Sequence, residues 1–121
     1  MGYARKRSQA MVIGTHEETR QMACTLIEES GFHVLEAESF EEAASLLARH
    51  GGRLHFVFAE TEDARQARAL AILIARNWPW IRVLVSFRPS TQTSELPAGA
   101  SRLRHPWHPL DLLIETERVM H

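Results

Sequence analysis

The chain of 121 residues holds one cysteine, Cys24, so no disulfide can form within it. No CxxC pair occurs either, which removes the common zinc and thioredoxin-like readings. No apolar run approaches the roughly 20 residues that cross a bilayer, and no signal-peptide pattern opens the sequence. Charge of one sign is also lacking. The formal net charge of −1 gives no overall pull toward nucleic acid or an anionic membrane. Repeats and low-complexity tracts are absent. These absences point to the cytoplasm as the expected compartment, with neither membrane nor nucleic acid as a direct partner.

What remains is the composition of a globular protein: 45% hydrophobic and 24% charged residues. The length suits one domain and leaves no room for a second core. The only concentrated positive charge is Arg5-Lys6-Arg7, which reads as a solvated basic tail over residues 1–10, with the domain at 11–121.

Within that domain apolar runs and helical periodicities alternate. Met11-Val12-Ile13, stopped at Gly14, reads as a buried strand. Met22, Ala23, Leu26 and Ile27 recur at helical spacing between Glu18 and Ser30, and Gly31 closes that helix. Val34-Leu35 is a brief second strand. Ser39 with Glu42 matches a capping box ahead of Ala43, Leu46 and Leu47, and Gly51-Gly52 ends the second helix. Leu54 to Ala59 is almost wholly apolar, as a strand buried on both faces should be.

Ala64 to Asn77 forms a third helix with Ala67, Leu70, Ala71 and Ile74 on one side, ended by Trp78-Pro79. Ile81 to Val85 is a fourth strand. Ser86 to Gly99 is rich in Ser, Thr, Pro and Gln, which argues against a long helix there. Ala100 to Arg104 is a fifth strand. A last helix starts near Pro109 and buries Leu112, Leu113 and Val119.

Strands joined by crossovers of about a dozen residues pair in parallel. The economical fold is α/β: a doubly wound five-stranded parallel sheet in three α/β/α layers. Its functional crevice should lie beyond the carboxyl ends of the strands, at residues 14–17, 60–63, 86–88 and 105–107.

These sites, in this order, resemble the receiver domain of two-component response regulators, a flavodoxin-like fold. The resemblance runs from about residue 11 to about residue 120. It is carried by Ser30-Gly31-Phe32-His33-Val34-Leu35-Glu36-Ala37, by Trp78-Pro79, and by Gly99-Ala100 through His105-Pro106-Trp107. It implies a carboxylate pair for Mg²⁺, an aspartate phosphoacceptor, a hydroxyl residue and a lysine. The pair falls on Gly14 and Thr15, followed by His16; the acceptor falls on Glu60. The hydroxyl is kept at Ser86, while the lysine falls on His105, followed by the family's proline as Pro106.

Mg²⁺ favours oxygen ligands, commonly one or two carboxylates with phosphate and water, and Gly14 and Thr15 supply no carboxylate. Glu60 is one methylene longer than aspartate, and a misplacement of about 1 Å can cost roughly 10²-fold in such chemistry. The resemblance therefore implies a pseudo-receiver: not an enzyme, without cofactor or metal, working by protein–protein contact in signal transduction. Its interaction face, carried over from the family, spans the fourth helix region, fifth strand and fifth helix. Arg102, Arg104, Trp107, Asp111 and Glu115 lie there, for a protein partner or a homodimer.

The chain ends just after the last helix, which suggests a stand-alone adaptor or a piece of a larger regulator. Glu60 could imitate the phosphorylated state by bonding Ser86, although Arg102 stands where the family keeps a mobile aromatic. Two alternatives stay open. One is a sensing module whose emptied pocket takes a small molecule, or a metal held by His16, Glu60 and His105 with His108 nearby. The other is a receiver phosphorylated at a noncanonical acid such as Asp63. Cys24 reads as a small core residue, and Trp80 and Trp107 as partly exposed, Trp107 being the first choice for a contact residue.

Overall fold

A computed structural model describes residues 8–88 and 95–120, without the side chain of Met120. Five strands, β1 (Gln9–Ile13), β2 (His33–Ala37), β3 (Leu54–Glu60), β4 (Arg82–Ser86) and β5 (Ala100–Leu103), form one sheet in the order β2-β1-β3-β4-β5. Every pairing is parallel. Among the described residues four α-helices accompany it: α1 (Glu17–Glu29), α2 (Phe40–His50), α3 (Ala64–Asn77) and α4 (Pro109–Met120).

The alternation of side chains along the strands divides the interior in two. Val57, Ala59, Val83 and Val85 face one way and pack with Ala43 and Leu47 of α2 and Ala67, Leu70, Ala71 and Ile74 of α3. Phe56, Phe58, Leu84 and Leu103 face the other way, toward Ala23, Cys24 and Ile27 of α1 and Leu112 of α4. Burial on both faces explains the continuous apolar run of β3. The three layers expected from the sequence are therefore present.

Local signals hold in detail. Ser39 accepts a hydrogen bond from the backbone N–H of Glu42 at 3.1 Å, starting α2. Gly31 adopts φ 105°, the left-handed turn that ends α1 and that favours glycine. Gly51 caps the end of α2 at His50, as read in the sequence, and has a second task. It stays in helical conformation, and a Cβ there would lie 2.4 Å from the Trp78 indole. The residue is small because an aromatic ring occupies the space.

Other boundaries and faces depart from the sequence reading. Gln9 and Ala10, assigned to the basic tail, belong to β1, and Ala10 is fully buried. Residues 1–7 lie outside the described residues, as do 89–94 of the stretch read as an unlikely long helix. Leu96 packs against the core without helical structure. On α1 the buried residues are Arg20, Ala23, Cys24 and Ile27, while Met22 is 49% exposed. The stripe lies one register off because Arg20, not an apolar residue, opens it.

Candidate functional site

The strand order reverses between β1 and β3, so the crevice opens where the segments following these strands diverge. Glu60 ends β3 beside Ser86 in the register of β4, and Ser86 stands beside Leu103 of β5. Strand periodicity turns Glu60 and Ser86 to the side of Phe58 and Leu84, the face covered by α1 and α4.

On that face Trp107 closes over the end of β3. Its indole Nε1 donates to Glu60 Oε2 at 2.8 Å, and its ring meets Phe58 edge-on, with centroids 5.6 Å apart. The half-buried carboxylate at the acceptor position is thus held by an internal donor. Ser86 is fully buried, and its hydroxyl donates weakly to the Arg104 carbonyl at 3.5 Å. The Glu60–Ser86 hydrogen bond considered for imitation of the phosphorylated state is not formed. The carboxylate is bound instead by Trp107, in the segment ahead of α4.

The metal-pair positions are also altered in their surroundings. Gly14 is buried, and its carbonyl accepts from Arg20 Nη1 at 2.9 Å. Arg20 is only 6% exposed; it pairs through Nε with Glu36 of β2 and lies 3.5 Å from Glu38 through Nη2. The hydrogen bond to Glu36 raises the guanidinium's pKa above its ordinary value, against the lowering effect of burial. Arg20 escaped the sequence reading, although an arginine at the i−3 position of Ala23-Cys24 was a readable signal.

Thr15 is exposed and carries only a hydroxyl. A donor set of a backbone carbonyl already engaged by a cation, a hydroxyl and one indole-bound glutamate does not suit Mg²⁺.

The remaining positions ring the crevice without converging. His16 is exposed, with Nε2 3.7 Å from Glu62, and Arg88 approaches the same Glu62 at 3.8 Å. The set His16, Glu60 and His105 proposed for a transition metal is therefore not assembled. Among the described residues no group of three or more His, Cys, Asp or Glu is placed to hold an ion. His105 follows β5 through Arg104 and leads into Pro106 by a cis peptide bond; its Nδ1 is buried without a hydrogen-bond partner among the described residues. Asp63, the alternative acceptor, caps α3 by accepting from Arg65 N at 2.8 Å. Thr61 braces the same turn, accepting from Asp63 N and donating to Gln66.

The five residues assigned to an interaction face divide between different surroundings. Arg102 stacks on Phe87, 4.2 Å from the ring centroid, and donates to the Phe87 carbonyl, on the sheet face opposite α4. Arg104 and Asp111 are exposed, and Glu115 pairs with Arg118 at 2.9 Å. Trp107 turns its N–H inward to Glu60. Trp80 is 52% exposed. Among the described residues no helix is long and apolar enough to cross a membrane.

No protein-family model matches the sequence, and no curated protein matches it. Solved structures do. A response regulator from Thermotoga maritima superposes with a TM-score of 0.75 at 19% identity, covering 95% of this chain and 98% of that one. An orphan response regulator of H. pylori gives 0.75 at 16% identity, over 96% and 100%. An atypical orphan response regulator, described as having a phosphorylation-independent regulatory mechanism, gives 0.73 at 16% identity, over 93% and 94%. Sheet order, layering and these superpositions agree: the chain has the fold of a response-regulator receiver domain.

Proposed function

We propose that this chain is a phosphorylation-independent receiver, a pseudo-receiver that acts in cytoplasmic signalling by protein–protein contact rather than by catalysis. One observation carries the reading. The carboxylate at the acceptor position is a glutamate already bound by the Trp107 indole, beside metal-pair positions that hold no carboxylate. A phosphoryl group would have to displace that donor and form without a charge-neutralising metal. The atypical orphan regulator of the same fold supports the idea that such a scaffold can work without phosphorylation. The contact face assigned to it is formed by β5 and α4, including Arg104, Asp111 and Glu115.

Incubation with acetyl phosphate and Mg²⁺, followed by intact mass, tests this. The expected mass is unchanged; a gain of one phosphoryl group, at Glu60, Asp63 or elsewhere, contradicts the proposal.

A sensing role is favoured by one specific feature, the His105 Nδ1, which is buried without a hydrogen-bond partner among the described residues. Buried polar atoms without partners are uncommon, and a small hydrogen-bonding molecule that reached this one would satisfy it. A thermal-shift screen separates the two readings: a reproducible shift lost in His105→Phe supports sensing.

A further inference from the structure

Arg82 opens β4 at the end of the sheet opposite the crevice, on the strand face that carries Leu84 toward α4. Its guanidinium is exposed and makes no hydrogen bond or ion pair among the described residues. Beside it α4 and the sheet part to leave an open-sided cleft of about 160 Å³. The strand register sets two rows of its floor, Phe56 beside Arg82 and Leu84 beside Ser101. Glu115, Arg118 and Val119 close it from the last turns of α4. An apolar floor and a cationic rim thus share one recess.

We propose that this cleft binds a small organic monocarboxylate, its apolar body on Phe56, Leu84 and Val119 and its carboxylate on Arg82 and Ser101. The size suits a single ring or a branched chain, since a cavity of about 150 Å³ is enough for benzene. A guanidinium offers a carboxylate two parallel N–H donors, and the Ser101 hydroxyl supplies a third. The surroundings favour one charge on the ligand rather than two. Arg118 is already paired with Glu115 at 2.9 Å, so Arg82 is the one lining cation without a carboxylate among the described residues. The carbonyl end of α4, with roughly half a negative charge, lies at the same recess and disfavours a dianion such as phosphate. The site goes beyond the protein-contact reading and does not depend on it, because it shares no residue with the crevice.

Amide NMR of the full chain during titration with sodium benzoate, against sodium chloride at equal ionic strength, tests this. Saturable shifts are expected at Arg82, Leu84, Ser101 and Val119, with a millimolar dissociation constant. Benzamide, the neutral isostere, and inorganic phosphate should each bind roughly tenfold more weakly or worse. Arg82→Gln should weaken benzoate binding to a similar degree, with circular dichroism confirming the fold of this exposed variant. Glu115→Gln removes the one carboxylate among the described lining residues and releases Arg118, so it should tighten binding severalfold. Shifts that do not saturate overturn the proposal, as does benzamide or phosphate binding as well as benzoate. So does binding that is indifferent to Arg82→Gln or weakened by Glu115→Gln. Saturable shifts confined to Gly14, Glu60 and Ser86 also overturn it, because the ligand would then sit in the crevice. None of these results alters the mass expected after acetyl phosphate, so this site and the phosphorylation-independent reading fail separately.

Discussion

The indole N–H of Trp107 donates to Glu60 Oε2 at 2.8 Å, tying the segment ahead of α4 to the end of β3. In the fold's usual chemistry the carboxylate at this position attacks phosphorus; here it accepts a hydrogen bond from inside the protein. The link couples the crevice to α4, the helix that carries part of the proposed contact face.

Removal of the donor should therefore be felt in stability. Trp107→Phe keeps an aromatic edge against Phe58 and loses the N–H, and it should lower the unfolding free energy by about 1.5–3 kcal/mol, the usual worth of a hydrogen bond to a charged group. Glu60→Gln keeps an acceptor oxygen and should cost under about 1 kcal/mol. A double-mutant cycle of Trp107→Phe and Glu60→Ala in urea should show coupling of roughly 1 kcal/mol. Strict additivity would mean that the contact contributes nothing.

Arg20 holds three acceptors from a nearly buried position: the Gly14 carbonyl, Glu36 and Glu38. Arg20→Met fits the apolar stem but strands Gly14 O and Glu36, and it should destabilise by about 2–4 kcal/mol in chemical denaturation. Glu36 is 41% exposed and can recover water, which keeps the cost below that of a fully buried pair. Arg20→Lys, with a point charge in place of the planar fork, should recover only part of the loss. Full stability in Arg20→Met would show that the cluster is dispensable.

Much of this molecule was legible in its sequence, for reasons visible in particular residues. Leu54 to Ala59 announced a central strand because both of its faces are covered. Ser39 and Glu42 announced a helix start through a bond that was found. The crevice positions followed from the ends of the strands. Legibility failed where a side chain's partner lies far along the chain. Trp107 and Glu60 are 47 residues apart and Arg20 and Glu36 are 16 apart, and no local periodicity connects them. The second task of Gly51 was hidden for the same reason: its neighbour in space, Trp78, lies far along the chain.

That contact gives a sharp test of packing. Gly51→Ala would set a methyl 2.4 Å from the indole of Trp78, a distance that forces the ring or backbone to move. Thermal unfolding should report a loss of about 1–3 kcal/mol, the usual cost of overpacking. Gly52→Ala, with open space around its Cβ, should differ little from wild type.

Cys24 is 7% exposed, and burial, followed by Glu36 and Glu28, pushes its thiol from 9.0 up to about 12. The native thiol should resist iodoacetamide at pH 8 and react once the chain is unfolded. The raised pKa also fixes a sign. Below about pH 9 the thiol is neutral in both states and costs nothing. Between about 9 and 12 only the unfolded chain ionises, so stability falls as pH rises, by at most about 1.4 kcal/mol per pH unit. Cys24→Ala should flatten that part of the decline, and an unchanged slope would contradict the assignment.

The central claim is that the crevice has given up phosphoryl and metal binding while keeping the receiver fold. Amide NMR during titration with Mg²⁺ and beryllofluoride, a phosphoryl mimic, tests this most directly. The account predicts no saturable shift at Gly14, Thr15, Glu60, Thr61 or Ser86. Saturable, Mg²⁺-dependent shifts at those amides, spreading to Trp107 Nε1–H, would contradict it.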